Sequence, residues 1–209
     1  LALKAEGMLW YPRLKDLSNY ENPTRGFFND ARPNAGEAID HQTVIDSTAE
    51  QSIGQLASGM LSGYTSPSRP WVKPILDTED LDLMEYTPVK TWLDAVQKWL
   101  LGVYQRSNVY GSLYSIYEEL ATFGTSCGFL EEDYKDIIKL RVYTAGEYFY
   151  GCGPDGRVNA FYRRFWLTVG QMVKKFGLEN CSSAVKASYN NNMIDQWKIV
   201  NHLVEENDD

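Results

Sequence analysis

Five carboxylates in two runs, Glu118-Glu119 and Glu131-Glu132-Asp133, are the side chains best suited by type to do chemistry. Two of them held across a scissile bond would give the acid and base of a hydrolase acting on nucleic acid or polysaccharide. Nothing else in the sequence organises them around a substrate. His41 and His202 lie near opposite ends, beside no Cys or Asp at ligand spacing. A lone His on a strand such as 199–203 is usually a structural hydrogen-bond donor. Cys127, Cys152 and Cys181 fit no zinc pattern and are odd in number, so reduced, partly buried thiols of an intracellular product are expected. Gly151-Cys152-Gly153-Pro154-Asp155-Gly156 lacks the Gly-Lys-Ser/Thr ending of a phosphate loop, and a strand rather than a helix follows it. Asp77, Glu79, Asp80 and Asp82 lack the central glycine and terminal glutamate of a calcium loop and read as a solvated linker. Neither an HExxH nor a GxSxG motif is present. The sequence therefore assigns no catalytic residue, no metal and no cofactor, which favours a structural or interaction role.

The elements that would present such a surface are easier to read. The segment SGMLSGYTSPSRPW (58–71) is expected to close an amphipathic helix with Gly63 in the left-handed position. Pro67 and Pro70 then fix φ and keep the helix from resuming, leaving a stiff loop that carries Arg69 and Trp71. Such a loop serves as a rigid connector or as a surface shown to a neighbour. Upstream, Ser47 and Glu50 have capping-box spacing, and Ile53, Leu56, Met60 and Leu61 form one apolar stripe.

Thr87 as N-cap and Pro88 at the first helical position open a helix with Val89, Trp92, Leu93, Val96, Leu100 and Val103 on its apolar face. A second helix follows a break near Ser107, carries Val109, Leu113, Ile116, Tyr117 and Leu120, and ends at Gly124. These two are expected to form the central helix pair. The period then changes: 125–130 and 137–143 read as strands joined by the charged turn 131–135. The strand 148–152 leads through a Pro154-Asp155-Gly156 turn into 158–167, which carries aromatics on both faces, so both faces are expected to be covered. Thr168 caps a short helix ending at Gly177, Ser182 caps another to about Tyr189, and 197–205 is a final strand. Helices first and an antiparallel sheet or hairpin region after make an α+β fold. The divisions are 1–45, an extended N-terminal segment; 46–124, helical; and 125–209, β-rich with short helices.

Composition bounds the partners. The 209 residues are 44 % hydrophobic and 23 % charged, ordinary for a globular protein. The 14 Tyr, 8 Phe and 6 Trp exceed what is ordinary and favour extensive half-buried contact surface. A net charge of −8 argues against a tight grip on DNA and suits a surface past which DNA slides. No run of roughly 18 uncharged apolar residues occurs, so no candidate membrane helix is read. The start, LALKAEGMLW, lacks signal-peptide architecture, and both termini are expected to be cuts through a longer chain.

Taken in series, several segments resemble the head-to-tail connecting (portal) proteins of short-tailed double-stranded DNA phages. They are Asp46-Ser47-Thr48 with LASGMLSGYTSPSRPW (56–71), RSNVYGSLYSIYEELATFGTSCGFLEED (106–133), GEYFYGCGPDGRVNAFYRRFWLT (146–168) and QMVKKFG (171–177). Each is modest alone; their order and spacing are specific. The resemblance implies a ring, typically a dodecamer, at one capsid vertex, through which a separate terminase packages DNA and from which DNA later leaves through the tail. It implies as partners other copies of the chain, the major capsid protein, tail or adaptor proteins, terminase, and DNA passing without sequence-specific binding. Its location would be the virion, with the host cytoplasm during assembly. The matched region corresponds to the wing side of such a chain, and the stem, clip and crown are not seen in this stretch. Arg69, Trp71, Arg163 and Arg164 are the interface candidates, chosen because Arg and Trp dominate hot spots. Trp71 and Arg164 suit the domain's own core equally well. The alternatives are another ring or adaptor protein of the virion, and the carboxylate hydrolase above.

Overall fold

The computed structural model describes residues 9–28, 44, 46–77, 83 and 85–205. His41 and the acidic residues Glu79, Asp80 and Asp82 lie outside them. The fold is α+β, as the order of elements implies. Within the segment expected to be extended, Tyr11–Glu21 is an α-helix, α1. Its apolar positions are too sparse to announce a helical period, and Pro12 sits in the first turn, where its missing N–H costs nothing. Helices α2 (Thr48–Tyr64), α3 (Thr87–Arg106) and α4 (Val109–Phe123) follow. Strands β1 (Cys127–Asp133) and β2 (Ile137–Tyr143) form a two-stranded antiparallel sheet, so the first strand runs on through the expected turn to Asp133. Strands β3 (Tyr148–Cys152), β4 (Val158–Thr168) and β5 (Trp197–Glu205) form an antiparallel sheet in that order, with α5 (Val169–Phe176) and α6 (Ser183–Asn190) between β4 and β5.

The described residues make two compact units: those within 16–26 and 39–145, and those within 1–15, 27–38 and 146–209. In the first, α4 packs most extensively on α2 rather than on its sequence neighbour α3. The reason lies in side-chain size. Ala57 is fully buried and Gly54 faces the Tyr114 hydroxyl, so α2 comes close where a larger residue would hold it off. Ile53 of α2 and Val109, Tyr117 and Phe123 of α4 are also buried.

The start of α2 departs from the expected capping box. Ser47 makes no cap bond to the backbone; Asp46 accepts from the Thr48 N–H at 2.9 Å, and the Glu50 carboxylate is taken by Thr24 at 2.8 Å. An acceptor one residue upstream has displaced the serine. The end departs too, because α2 continues through Gly63 to Tyr64 and terminates at Thr65 with φ −127°. Gly124, by contrast, ends α4 at φ +70°, as its position foretells.

The second unit is built on the β3–β4–β5 sheet. One face carries Leu167 and Val200 against Val169, Met172 and Val185 of the short helices. The other carries Phe149, Tyr162, Arg164 and Trp166, and Phe28 lies on it, 6.5 Å from the Trp166 ring. Both faces are thus covered, at least in part, as the double set of aromatics suggested. The Pro-Asp-Gly turn places Gly156 at φ +77°. At the entry to α5 a complete capping box forms, with Thr168 Oγ1 accepting from the Gln171 N–H at 3.2 Å and Gln171 Oε1 accepting from the Thr168 N–H at 3.0 Å.

Candidate functional site

The carboxylates do not assemble as an acid–base pair. Glu131 is bound by Arg141 across the β1–β2 hairpin, and Asp133 Oδ1 accepts from the Lys135 N–H at 2.8 Å, shaping the turn. Glu119 is buried within its own unit at 0 % exposure and has three donors. Arg25 Nε donates at 2.7 Å, Thr144 Oγ1 at 2.9 Å and the Ala145 N–H at 3.2 Å. A carboxylate so satisfied is a structural bolt, since its lone pairs are already committed. Sequence reading missed this cluster because Arg25 and Glu119 stand 94 residues apart and carry no local pattern.

Burial pushes the Glu118 carboxyl above the ordinary carboxylate range; Arg25 opposes the rise, Glu119 adds to it, and a Tyr114 hydrogen bond opposes it. The native state therefore binds more protons than the unfolded chain between the ordinary value and the raised one. Stability falls as pH rises through that window. Glu118→Gln, neutral throughout, is expected to remove the fall and to be more stable than the parent above the window. Urea midpoints at about pH 4 and about pH 8 check this; a variant weaker than the parent at the higher pH would refute it.

The described residues of the first unit enclose cavities. One of about 330 Å³ is lined by Arg25, Asn108, Ser112, Ser115 and Val142, with no carboxylate among them. Another, about 290 Å³, includes Glu85, Lys90, Asp94 and Gln97, and Lys90 Nζ sits 2.6 Å from the Glu85 carboxylate, holding it below its usual range. Among the described residues no cluster of His, Cys, Asp and Glu could hold a metal, and all three cysteines are free thiols. Among them too, no helix is long and apolar enough to cross a membrane.

The four interface candidates lie in different surroundings. Arg69 is exposed, and its Nη2 donates to the Ser62 and Gly63 carbonyls at 2.9 and 3.0 Å. It closes the end of α2, where a cation meets the unsatisfied carbonyls of the helix terminus. Trp71 is half-buried, stacked on Tyr104 at 5.7 Å, with Nε1 donating to the Tyr110 hydroxyl at 3.2 Å. The loop that carries them is anchored on its own unit: Thr65 meets the Tyr117 hydroxyl at 3.0 Å, and Gln105 donates to the Pro67 carbonyl at 3.3 Å.

Arg163 pairs with Glu147, Nε to Oε1 at 2.7 Å, and lies over the Phe165 ring at 4.5 Å. Arg164, its neighbour on the opposite face of the sheet, is only 2 % exposed. Its guanidinium lies over Phe28 and Phe149, 5.1 and 5.5 Å from the ring centres, and Nη2 donates to the Gly146 carbonyl at 3.3 Å. Strand alternation separates the two arginines, and the ring of Phe28 roofs one of them. The four therefore do not converge on one patch within either unit.

Trp92 also differs from its reading as part of a core stripe. It and Trp99 are each 59 % exposed, while Leu93 and Val103 of α3 are buried. The seven-residue spacing of the two tryptophans was the available signal, because i and i+7 share a helix face.

Comparison with known proteins gives these features a family. The model for the bacteriophage head to tail connecting protein matches residues 2–209. A probable portal protein of Bordetella phage BPP-1 is 37 % identical over 203 residues, 97 % of this chain and 36 % of that protein. A portal protein of Salmonella phage epsilon15 is 38 % identical over 205 residues, 98 % of this chain and 36 % of that protein. The chain thus spans a little over a third of the length of these relatives. It belongs to the bacteriophage head to tail connecting protein family.

Proposed function

We propose that the protein carrying this chain is a portal: a closed ring at one vertex of the phage capsid, joining head to tail, through which DNA enters and leaves. The family match over residues 2–209 carries this reading. Its role is mechanical rather than catalytic, in keeping with the structural character of the family. A dodecamer, a short-tailed virion, and contacts with capsid protein, terminase and tail or adaptor proteins are part of the proposal. So is assembly in the host cytoplasm, followed by residence in the virion. The charge of −8 supports passage of DNA without a grip on it. The chain is read as the wing-type part of that protein.

Arg69, Trp71, Arg163 and Arg164 enter as interface residues in two ways. Arg69 is available at the surface; Trp71 and Arg164, committed to their own units, hold the loop and the strand that would be presented, and Arg163 is tied to Glu147. Negative-stain images of the full-length protein test the ring: closed rotationally symmetric particles with a central opening are expected. A monodisperse monomer at micromolar concentration would remove the reading.

A further inference from the structure

We propose that the ring closes by seating the β1–β2 hairpin of one copy on the α3 ridge of the next, an inference that rests on the portal reading. A ring built from identical subunits joins two different patches, one on each side of the subunit. Two unlike and complementary patches occur in the unit containing residues 16–26 and 39–145.

The first is the hairpin tip. Tyr134 is fully exposed there, with Phe129 and Ile137 about half exposed beside it. Through the β1–β2 register Phe129, Glu131, Asp133 and Ile137 share one face with Lys139 and Arg141, and Glu132 lies on the opposite face with Leu130, Leu140 and Val142, so the acidic excess belongs to the tip rather than to the length of the strands. Residues 131–136 hold four acids, Glu131, Glu132, Asp133 and Asp136, against the single base Lys135. The hairpin is preorganised by the Arg141–Glu131 ion pair and by the Asp133 turn bond. Ile137 holds φ +73°, a strained conformation for a β-branched residue, at the point where the strand leaves the turn.

The second patch is the outer sector of α3. At 100° per residue, Thr91, Trp92, Ala95, Lys98, Trp99, Gly102 and Arg106 fall on one side of the helix. That sector has two exposed tryptophans, two bases and no acid. From Trp92 to Arg106 it measures roughly 21 Å, ample to receive the hairpin tip. An acidic tip bearing Tyr134 and a basic, tryptophan-bearing ridge match in charge and chemistry. Tryptophan and tyrosine are also the side chains that most often anchor interfaces.

Charge reversal on the full-length protein tests the pairing. Glu132→Lys with Asp136→Lys turns the tip, residues 131–136, from four acids and one base to two acids and three bases, and Lys98→Glu with Arg106→Glu reverses the ridge. Each pair alone opposes like charges and is expected to raise the concentration for half-maximal ring assembly by about tenfold or more. The chain carrying all four substitutions restores opposite charges and is expected to recover assembly. Circular dichroism confirms that each variant is folded, and mass photometry counts the rings. Unchanged assembly of the paired variants, with the parent forming rings, overturns the docking alone and leaves these patches to a capsid or tail protein. Folded paired variants that fail and are not rescued by the fourfold variant also overturn it. A parent that forms no rings overturns the portal reading and this inference with it.

Discussion

Glu119→Ala is expected to lower the thermal unfolding midpoint by roughly 6–20 °C. The carboxylate is at 0 % exposure in α4 and holds three donors, all from distant parts of the chain. Removing one partner of a buried ion pair costs about 3–5 kcal/mol, because the cation left behind keeps its desolvation penalty. For a chain of this size each kcal/mol moves the midpoint by about 2–4 °C. Arg25 would lose its anion, and the Ala145 N–H would lose its acceptor in a buried setting. Glu119→Gln keeps one oxygen acceptor but loses the charge and turns the other oxygen into an NH2 donor facing a donor, and with its volume retained it should fall between parent and alanine. Melting curves followed by circular dichroism decide it. A shift below about 2 °C would mean that water replaces the carboxylate, and that the bolt is not what fastens residues 22–26 to α4.

Gly146→Ala is the second substitution expected to act strongly. Gly146 sits at φ +85°, and a Cβ placed there would stand 2.7 Å from Cζ of Phe27. An L-residue in the left-handed region costs about 1–2 kcal/mol. Moving the partly buried Phe27 ring aside would forfeit a share of the roughly 1.5–3 kcal/mol that full burial supplies. The ring also packs edge-on against Tyr11 at 4.7 Å, so its displacement reaches α1. The same methyl added at Gly156, also at positive φ but with open space around it, isolates the conformational part. Gly146→Ala should therefore be the more destabilising of the two in urea titration; equal losses would show that Phe27 yields without cost.

How much of this was legible depended on whether the governing interaction was local. Strands β3 and β5 fall where their alternation and flanking turns placed them, and Gly124 and Gly156 take the positive φ that their positions required. Gly63 shows the limit of that logic. Glycine permits a left-handed helix end without compelling one, and here Arg69 supplies the terminal carbonyls with a cation while α2 runs one residue further. The Ser47 box failed for a similar reason: two acceptors competed, and Asp46 held the better geometry.

Tertiary choices left no local trace. That α4 would prefer α2 to the adjacent α3 was decided by Gly54 and Ala57, small residues whose meaning depends on what approaches them. The Arg25–Glu119 bolt and the roof of Phe28 over Arg164 join segments far apart in sequence, and either arginine alone reads as a surface residue. Trp92 could be read as core because it borders the buried stripe of α3, yet it falls on the exposed side. The family resemblance, in contrast, was carried by the order of several modest motifs, which survives without knowledge of any contact.

The most direct test of the account is immuno-electron microscopy of phage particles with an antibody raised against this chain. Label at a single vertex per particle, where head meets tail, is the result predicted for a head–tail connector. Label distributed over all vertices or along the tail would contradict it.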